Sequence, residues 1–198
     1  MKEKRGAKEF LNIAHRGASG YCPENTMVAF EKAMDMGIKW MECDVRLTLD
    51  EQVVVIHDET LDRTTDGTGL VSMTRLADVQ KLDAGSWFGS EYAGVRVPTL
   101  SELLDSLRED THLVIEIKDG IIFPEIVDKT FSLVTSRGLE NRVNISAFHW
   151  DILARVKQLN PRMQTSALVD FDLERRQQPR IVDGKEIAIY SSPEELAS

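Results

Sequence analysis

The chain has 198 residues, 42% of them hydrophobic and 29% charged, with a formal net charge of -9 and a sequence pI near 5.0. This composition suits one well-buried core of roughly one domain, and the acidic balance argues against a nucleic-acid or anionic-membrane surface. No apolar stretch is long enough to span a bilayer, Met1 to Phe10 is charged and lacks a signal-peptide core, and Cys22 and Cys43 make no disulfide framework, so a cytoplasmic protein is the expectation.

Strand and helix patterns alternate along the chain. A strand at 11–15 leads to Pro23-Glu24-Asn25-Thr26, a helix start with Asn25 or Thr26 as N-cap. The helix carries Val28, Phe30, Ala33 and Met34, and Gly37 ends it. The second strand is 39–45. Leu49-Asp50-Glu51-Gln52 is then a turn into Val53–Ile56, too short for a parallel crossover, so an antiparallel return is expected. Thr60 to Val97 is irregular, with turn chemistry at 64–69 and a short amphipathic helix at Met73–Leu82. It is expected to be an insertion on a barrel rim. Thr99 and Glu102 then stand at capping-box spacing. Strand 113–118, a helix from Pro124 to Arg137 stopped by Gly138, strand 142–147, a helix over 151–159 and strand 165–169 follow. Beyond them 170–180 is charged and Gln-rich, and Lys185–Tyr190 reads as one more strand.

The apolar runs share one property: each ends in groups that an apolar core cannot hold unpaired. Ile13-Ala14 ends in His15-Arg16-Gly17, and Trp40-Met41 runs into Glu42-Cys43-Asp44-Val45. Val53–Ile56 ends in His57-Asp58, and Leu113-Val114-Ile115 runs into Glu116-Ile117-Lys118. Convergent chemistry at strand ends is the habit of a parallel β/α barrel. The expected fold is therefore α/β, a TIM-type barrel with a small insertion after its second strand. It is expected as a single domain, 1–198, with 60–97 as the rim insertion. Five or six parallel strands are counted where closure needs eight, so the barrel is expected to lack its last strands.

Side chains two apart on a strand share a face. Glu42 and Asp44 therefore point one way and Cys43 the other; Glu116 and Lys118 share a face, with Ile117 away. Three convergent carboxylates repel unless a cation lies among them, and a hard oxygen-binding ion, Mg²⁺ or Ca²⁺, answers that need better than zinc. Two imidazoles, His15 and His57, suit a displacement in which one activates a nucleophile and the other protonates a leaving group. Arg16 and Lys118 are fixed cations suited to phosphate oxygens. Together these groups describe a phosphoryl-transfer site. His112 opens a strand and His149 leads into a helix, so both are expected to be structural, as is Cys43.

These residues resemble a known family, the glycerophosphodiester phosphodiesterases. The resemblance rests on His15-Arg16-Gly17, Pro23-Glu24-Asn25-Thr26, Glu42-Cys43-Asp44-Val45, His57-Asp58, the segment Thr60 to Thr65, and Glu116-Ile117-Lys118, in that order, and it runs from about Leu11 to Val169. It implies metal-dependent hydrolysis of a glycerophosphodiester to glycerol 3-phosphate and an alcohol. It implies Glu42, Asp44 and Glu116 as metal ligands, His15 and His57 as the acid/base pair, and Arg16 and Lys118 on the phosphate. It also implies that a glycerol hydroxyl attacks phosphorus first, giving a cyclic phosphate that water opens, with the effective concentration of an intramolecular reaction. A later Trp-Thr pair of the family has no counterpart here, since Trp40, Trp87 and Trp150 all precede Val169.

Two alternatives stand beside this reading. A lysophospholipase-D-like enzyme would want an apolar rim, which Tyr21, Ile121, Ile122 and Phe123 could supply. An inactive, truncated remnant would expose strand edges and leave self-association open. The expected partner is a small-molecule phosphodiester, with no nucleic acid and no stable membrane insertion.

Overall fold

Alternating apolar residues build one twisted sheet whose two faces have opposite chemistry. The computed structural model describes residues 11–120, 122–169, 180–182 and 185–187. The strands of the main sheet are β1 (Ile13–Ala14), β2 (Trp40–Leu47), β3 (Val53–Val55), β4 (His112–Ile117), β5 (Val143–Ala147) and β6 (Gln164–Ala167). Their order is β1-β2-β4-β5-β6, all parallel, with β3 antiparallel on the far half of β2. The helices α1 (Met27–Asp35), α3 (Leu100–Ser106), α4 (Glu125–Thr135) and α5 (Trp150–Leu159) belong to the strand–helix alternation, and the four-residue α2 (Leu76–Val79) lies between β3 and α3. This is the α/β arrangement of part of a β/α barrel, as expected from the sequence. A separate antiparallel pair joins β7 (Arg180–Val182), which was not expected, to β8 (Lys185–Ile187), the described portion of the strand expected at Lys185–Tyr190. The rest of 170–198 and Ile121 lie outside the described residues.

Local signals set the start of α1 and α3 and the end of α1. Thr26 caps α1 through its hydroxyl oxygen, which accepts from Ala29 N–H at 3.4 Å, and Gly37, at φ 78°, ends it with its N–H on Met34 C=O. Thr99 and Glu102 form the expected capping box at the start of α3. Gly138, at φ 66°, follows α4. The buried stripes Phe30-Ala33-Met34, Leu100-Leu103-Leu104, Ile126-Val127-Val134 and Ile152-Leu153-Val156 pack on Met41, Cys43, Val45, Leu113, Ile115, Ile117, Val143 and Ile145 of the sheet. Each such side chain contributes about 1.5–3 kcal/mol when fully buried.

Strand β3 joins two cores. Val53 and Val55 enter the main one, whereas Val54 enters a second cluster, with Ile56, Leu61, Val71, Val79, Ala84 and Val97. That second cluster lies under the irregular segment 60–97. The helix expected at Met73–Leu82 is not continuous: a 3₁₀ turn, Val71–Met73, precedes α2, and Arg75 between them is extended. The spacing of Leu76, Val79 and Leu82 mimics a longer helix, but the Leu76 N–H is pinned to Asp50 Oδ1 at 2.9 Å, which sets the start of α2. His112 stacks on Trp40, with centroids 4.5 Å apart and planes 13° apart. Phe123, expected on an apolar rim, packs partly buried against the main core, while Tyr21 and Ile122 are exposed. No helix among the described residues is long and apolar enough to cross a membrane.

Candidate active site

The face of β2 and β4 turned away from the helices carries the charge. Glu42 and Asp44 alternate with Met41, Cys43 and Val45, and Asp44 is the register partner of Glu116 on β4. One carboxylate oxygen from each of Glu42, Asp44 and Glu116 lies within 4.8 Å of the others, and all three residues are buried, Asp44 completely. Burial, then the charge of Asp44, pushes the carboxyl of Glu42 up to about 8. Cys43 points into the core, where burial pushes its thiol far up and leaves it inert.

The loop after β1 delivers the cation. Arg16 and Gly17 both take positive φ, 58° and 78°, which turns the chain sharply at the strand end. A Cβ on Gly17 would lie 2.7 Å from the carbonyl carbon of Ala29, so only glycine lets the loop close on α1. The Arg16 N–H donates to Glu42 Oε2 at 2.9 Å, and its side-chain Nε lies 3.2 Å from Asp44 Oδ2. Asn25 also takes positive φ, 56°, and its side-chain Nδ2 donates to Asp44 Oδ2 at 2.9 Å. Thr26, not Asn25, is therefore the helix cap; Asn25 holds a site carboxylate. From β4, Lys118 donates to Glu116 Oε1 and lies 3.0 Å from Asp44 Oδ1, outside hydrogen-bond geometry.

The two imidazoles are held differently. His15 is exposed, with Nε2 3.9 Å from Glu42 Oε2. Partial desolvation, then the charge of Arg16, hold its pKa below the usual histidine value. His57 is fixed at two points: its C=O accepts from Arg46 Nε at 2.8 Å, and its Nδ1 lies 2.6 Å from Asp58 Oδ1. Arg46 itself pairs with Asp119 at the end of β4. Asp58 is bound by Arg63, whose hydrogen bonds, with that of His57, hold its carboxyl well below the ordinary carboxylate range. Arg63 also binds Glu24, which accepts from Arg16 Nη1 at 2.8 Å.

The structure thus brings Arg16, Glu42, Asp44, Glu116 and Lys118 into direct contact. It places His15 beside Glu42 and joins His57 to the group through Asp58, Arg63 and Glu24, while Arg46 ties the His57 backbone to Asp119. Glu24, Asn25, Arg46, Asp58 and Arg63 carry contacts that strand spacing did not reveal. Asp58 stood next to His57, and Glu24 and Asn25 stood in the Pro23–Thr26 motif that carries the resemblance.

The carboxylate set fits a divalent cation. Two cations, Arg16 and Lys118, serve three site carboxylates, and Glu24 draws on Arg16 as well. Glu42 Oε1 is buried with no hydrogen-bond partner among the described residues. An unpartnered carboxylate oxygen on a carboxyl with a raised pKa, beside two further all-oxygen donors, is what a hard cation would satisfy.

Comparison with known proteins agrees with this chemistry. Residues 15–192 match the model of the glycerophosphoryl diester phosphodiesterase family. A glycerophosphodiester phosphodiesterase of Caldanaerobacter subterraneus subsp. tengcongensis is 46% identical over 165 residues, 82% of this chain and 68% of the relative. One of Bacillus subtilis is 38% identical over 197 residues, 91% of this chain and 66% of the relative. Among solved structures, an Oleispira antarctica phosphodiesterase in complex with the product sn-glycerol-3-phosphate superposes with a TM-score of 0.70 at 36% identity, covering 80% of this chain and 65% of that one. The chain spans about two thirds of the length of the relatives it matches.

Proposed function

We propose, for this chain, which belongs to the glycerophosphoryl diester phosphodiesterase family, the metal-assisted hydrolysis of glycerophosphodiesters to glycerol 3-phosphate and an alcohol. The observation that carries the proposal is the convergence of three buried carboxylates, two cations and His15 at the C-terminal ends of parallel strands, with His57 carried to the same region by the antiparallel return β3. Glu42, Asp44 and Glu116 would hold the ion, Mg²⁺ or Ca²⁺. Bound there, it would supply charge to a phosphoryl oxygen and lower the pKa of an attacking hydroxyl.

The chain's own residues supply the rest. Arg16, its guanidinium anchored by Glu24, and Lys118, anchored by Glu116, present fixed donors to the phosphate. Asp58 accepts from Nδ1 of His57, which leaves Nε2 as the nitrogen that exchanges a proton with substrate. His15 takes the opposite role from the loop after β1. One imidazole removes the proton of the attacking glycerol hydroxyl and the other protonates the departing alcohol. Their roles reverse when water opens the cyclic phosphate.

The same reading treats 1–198 as one barrel domain with 60–97 as its rim insertion, supported by the separate apolar cluster beneath that segment. It takes the substrate to be a small molecule, since Phe123 turns into the core and only Tyr21 and Ile122 of the expected apolar rim stand exposed among the described residues. It places the protein in the cytoplasm, which two free thiols suit.

The test is divalent-ion titration with release of glycerol 3-phosphate from glycerophosphocholine. Glu42→Ala and Asp44→Ala should each weaken ion binding on the order of a hundredfold and remove turnover. Unchanged ion affinity in both variants would overturn the ligand assignment.

A further inference from the structure

We propose that Arg63 is a positioning residue that sets the tautomer and orientation of His57 through Asp58. The proposal rests on the phosphodiesterase reading above, because it assigns His57 to proton transfer. Nothing in strand spacing points to Arg63, which lies in a turn after β3, at the start of the 60–97 segment.

The geometry is that of a strut between two carboxylates. Arg63 Nε donates to Asp58 Oδ2 at 2.6 Å and Nη2 to Asp58 Oδ1 at 3.0 Å. Nη1 donates to Glu24 Oε2 at 3.0 Å and Nη2 to Glu24 Oε1 at 2.7 Å. One planar guanidinium therefore clamps two acids in bidentate fashion, which no lysine can do. Asp58 Oδ1 then meets His57 Nδ1 at 2.6 Å, and Glu24 Oε1 meets Arg16 Nη1 at 2.8 Å. A single side chain thus links the acid/base imidazole to the cation beside Asp44.

The strut is mounted on a rigid turn. Leu61 is buried in the second apolar cluster, and Thr64 and Thr65 are buried beside Arg63. Thr65 N–H and Oγ1 both donate to Leu61 C=O, at 3.1 and 2.7 Å. Leu61 N–H donates to Gly69 C=O at 2.9 Å. Buried residues hold the turn from below while Arg63 reaches outward. An aspartate on a half-exposed loop would otherwise rotate about two side-chain torsions, and His57 would sample both tautomers. With both Asp58 oxygens engaged, Oδ1 faces Nδ1 and the proton stays there.

A merely structural ion network would make a different prediction. It would change melting and leave proton transfer alone, since pairs this exposed stabilise little. The functions separate in a double-mutant cycle on kcat, with the tautomer of His57 read independently by ¹⁵N-resolved NMR on the folded protein. Arg63→Ala should lower kcat on glycerophosphocholine about tenfold, Asp58→Asn at least as much, and the pair no more than Asp58→Asn alone, because both act through one imidazole. Wild type should show His57 protonated at Nδ1, and Arg63→Ala a mixture of tautomers. Arg63→Lys should restore neither, since it cannot hold both acids. Removal of Arg63, which touches none of the three ligand carboxylates, should leave divalent-ion affinity within twofold. Additive losses in the double variant, or an unchanged tautomer in Arg63→Ala, overturn the proposal. If wild type fails to cleave the diester, the phosphodiesterase reading fails instead, and the tautomer still decides the role of Arg63.

Discussion

The two faces of β2 and β4 lie back to back and carry opposite chemistry. On one face Met41, Cys43, Val45, Leu113, Ile115 and Ile117 are packed against helices, with nothing polar among them. On the other, Glu42, Asp44 and Glu116 crowd three carboxylates into a buried space beside Lys118. The period of two along a strand places these chemistries one residue apart. Substitutions on the helix face should therefore cost stability and spare chemistry. Those on the other face should cost chemistry and spare, or even improve, the stability of the metal-free protein. A protein that violated this separation would show that the charged face is structural.

The largest effect that tests the separation lies at the strand ends. His15→Ala and His57→Ala should each lower turnover of glycerophosphocholine on the order of a hundredfold, because each removes a placed proton-transfer group. Both side chains are outside the cores, so thermal melting should change by no more than a degree or two. A His15 variant with near wild-type turnover would reduce that residue, the more exposed of the two, to a neighbour of Glu42.

The second effect belongs to the helix face. Ile115→Ala sits beside Glu116 in sequence but is fully buried among the helices. It should cost about 2–5 kcal/mol of stability. Turnover per folded molecule and ion affinity should remain near wild type. Loss of ion affinity without loss of stability would mean that the two faces are mechanically coupled across the strand.

The separation of faces was legible in the sequence because it is periodic. The apolar runs, the antiparallel return at Val53 and the capping box at Thr99 and Glu102 all follow from local rules, and so did the grouping of Glu42 with Asp44. The links from His57 back to the site were not legible. Arg63 meets Glu24 across 39 positions, and Arg46 meets Asp119 across 73. Arg46 shares the strand face of Glu42 and Asp44 but stands one residue beyond the strand expected at 39–45, and Arg63 lies on an irregular turn. A false periodicity misled the reading of Met73–Leu82, where Leu76, Val79 and Leu82 stand at helical spacing but pack on the second core, Val79 fully and the other two in part, from a four-residue helix and a turn. Phe123 was misplaced for the converse reason: a loop position next to charged residues still found the core.

The smallest effect sharpens the comparison by using pH. Glu42 is ionised at a cost, since burial and Asp44 raise its carboxyl to about 8 in the folded, metal-free protein. In the unfolded chain it titrates near the ordinary glutamate value, about 4.3. Between those values the folded state binds the extra proton, so stability must fall as pH rises through that window. Asp58 and Glu24 have the opposite sign. Hydrogen bonds from Arg63, with those of His57 or Arg16, outweigh burial and depress their pKa values, so their contribution is present at neutral pH and lost only on acidification. With the ion chelated, melting temperature should therefore drop by on the order of a few degrees between pH 6 and pH 8.5. Glu42→Gln, which carries no proton to lose, should flatten that slope while leaving the acid limb in place. Saturating Mg²⁺ or Ca²⁺ should flatten it in wild type as well, since a bound cation removes the cost of ionising Glu42. A chelated wild type and a Glu42→Gln variant with equal slopes would show that Glu42 is not the strained member of the charged face, and that the balance among the three carboxylates lies with Asp44 and Glu116.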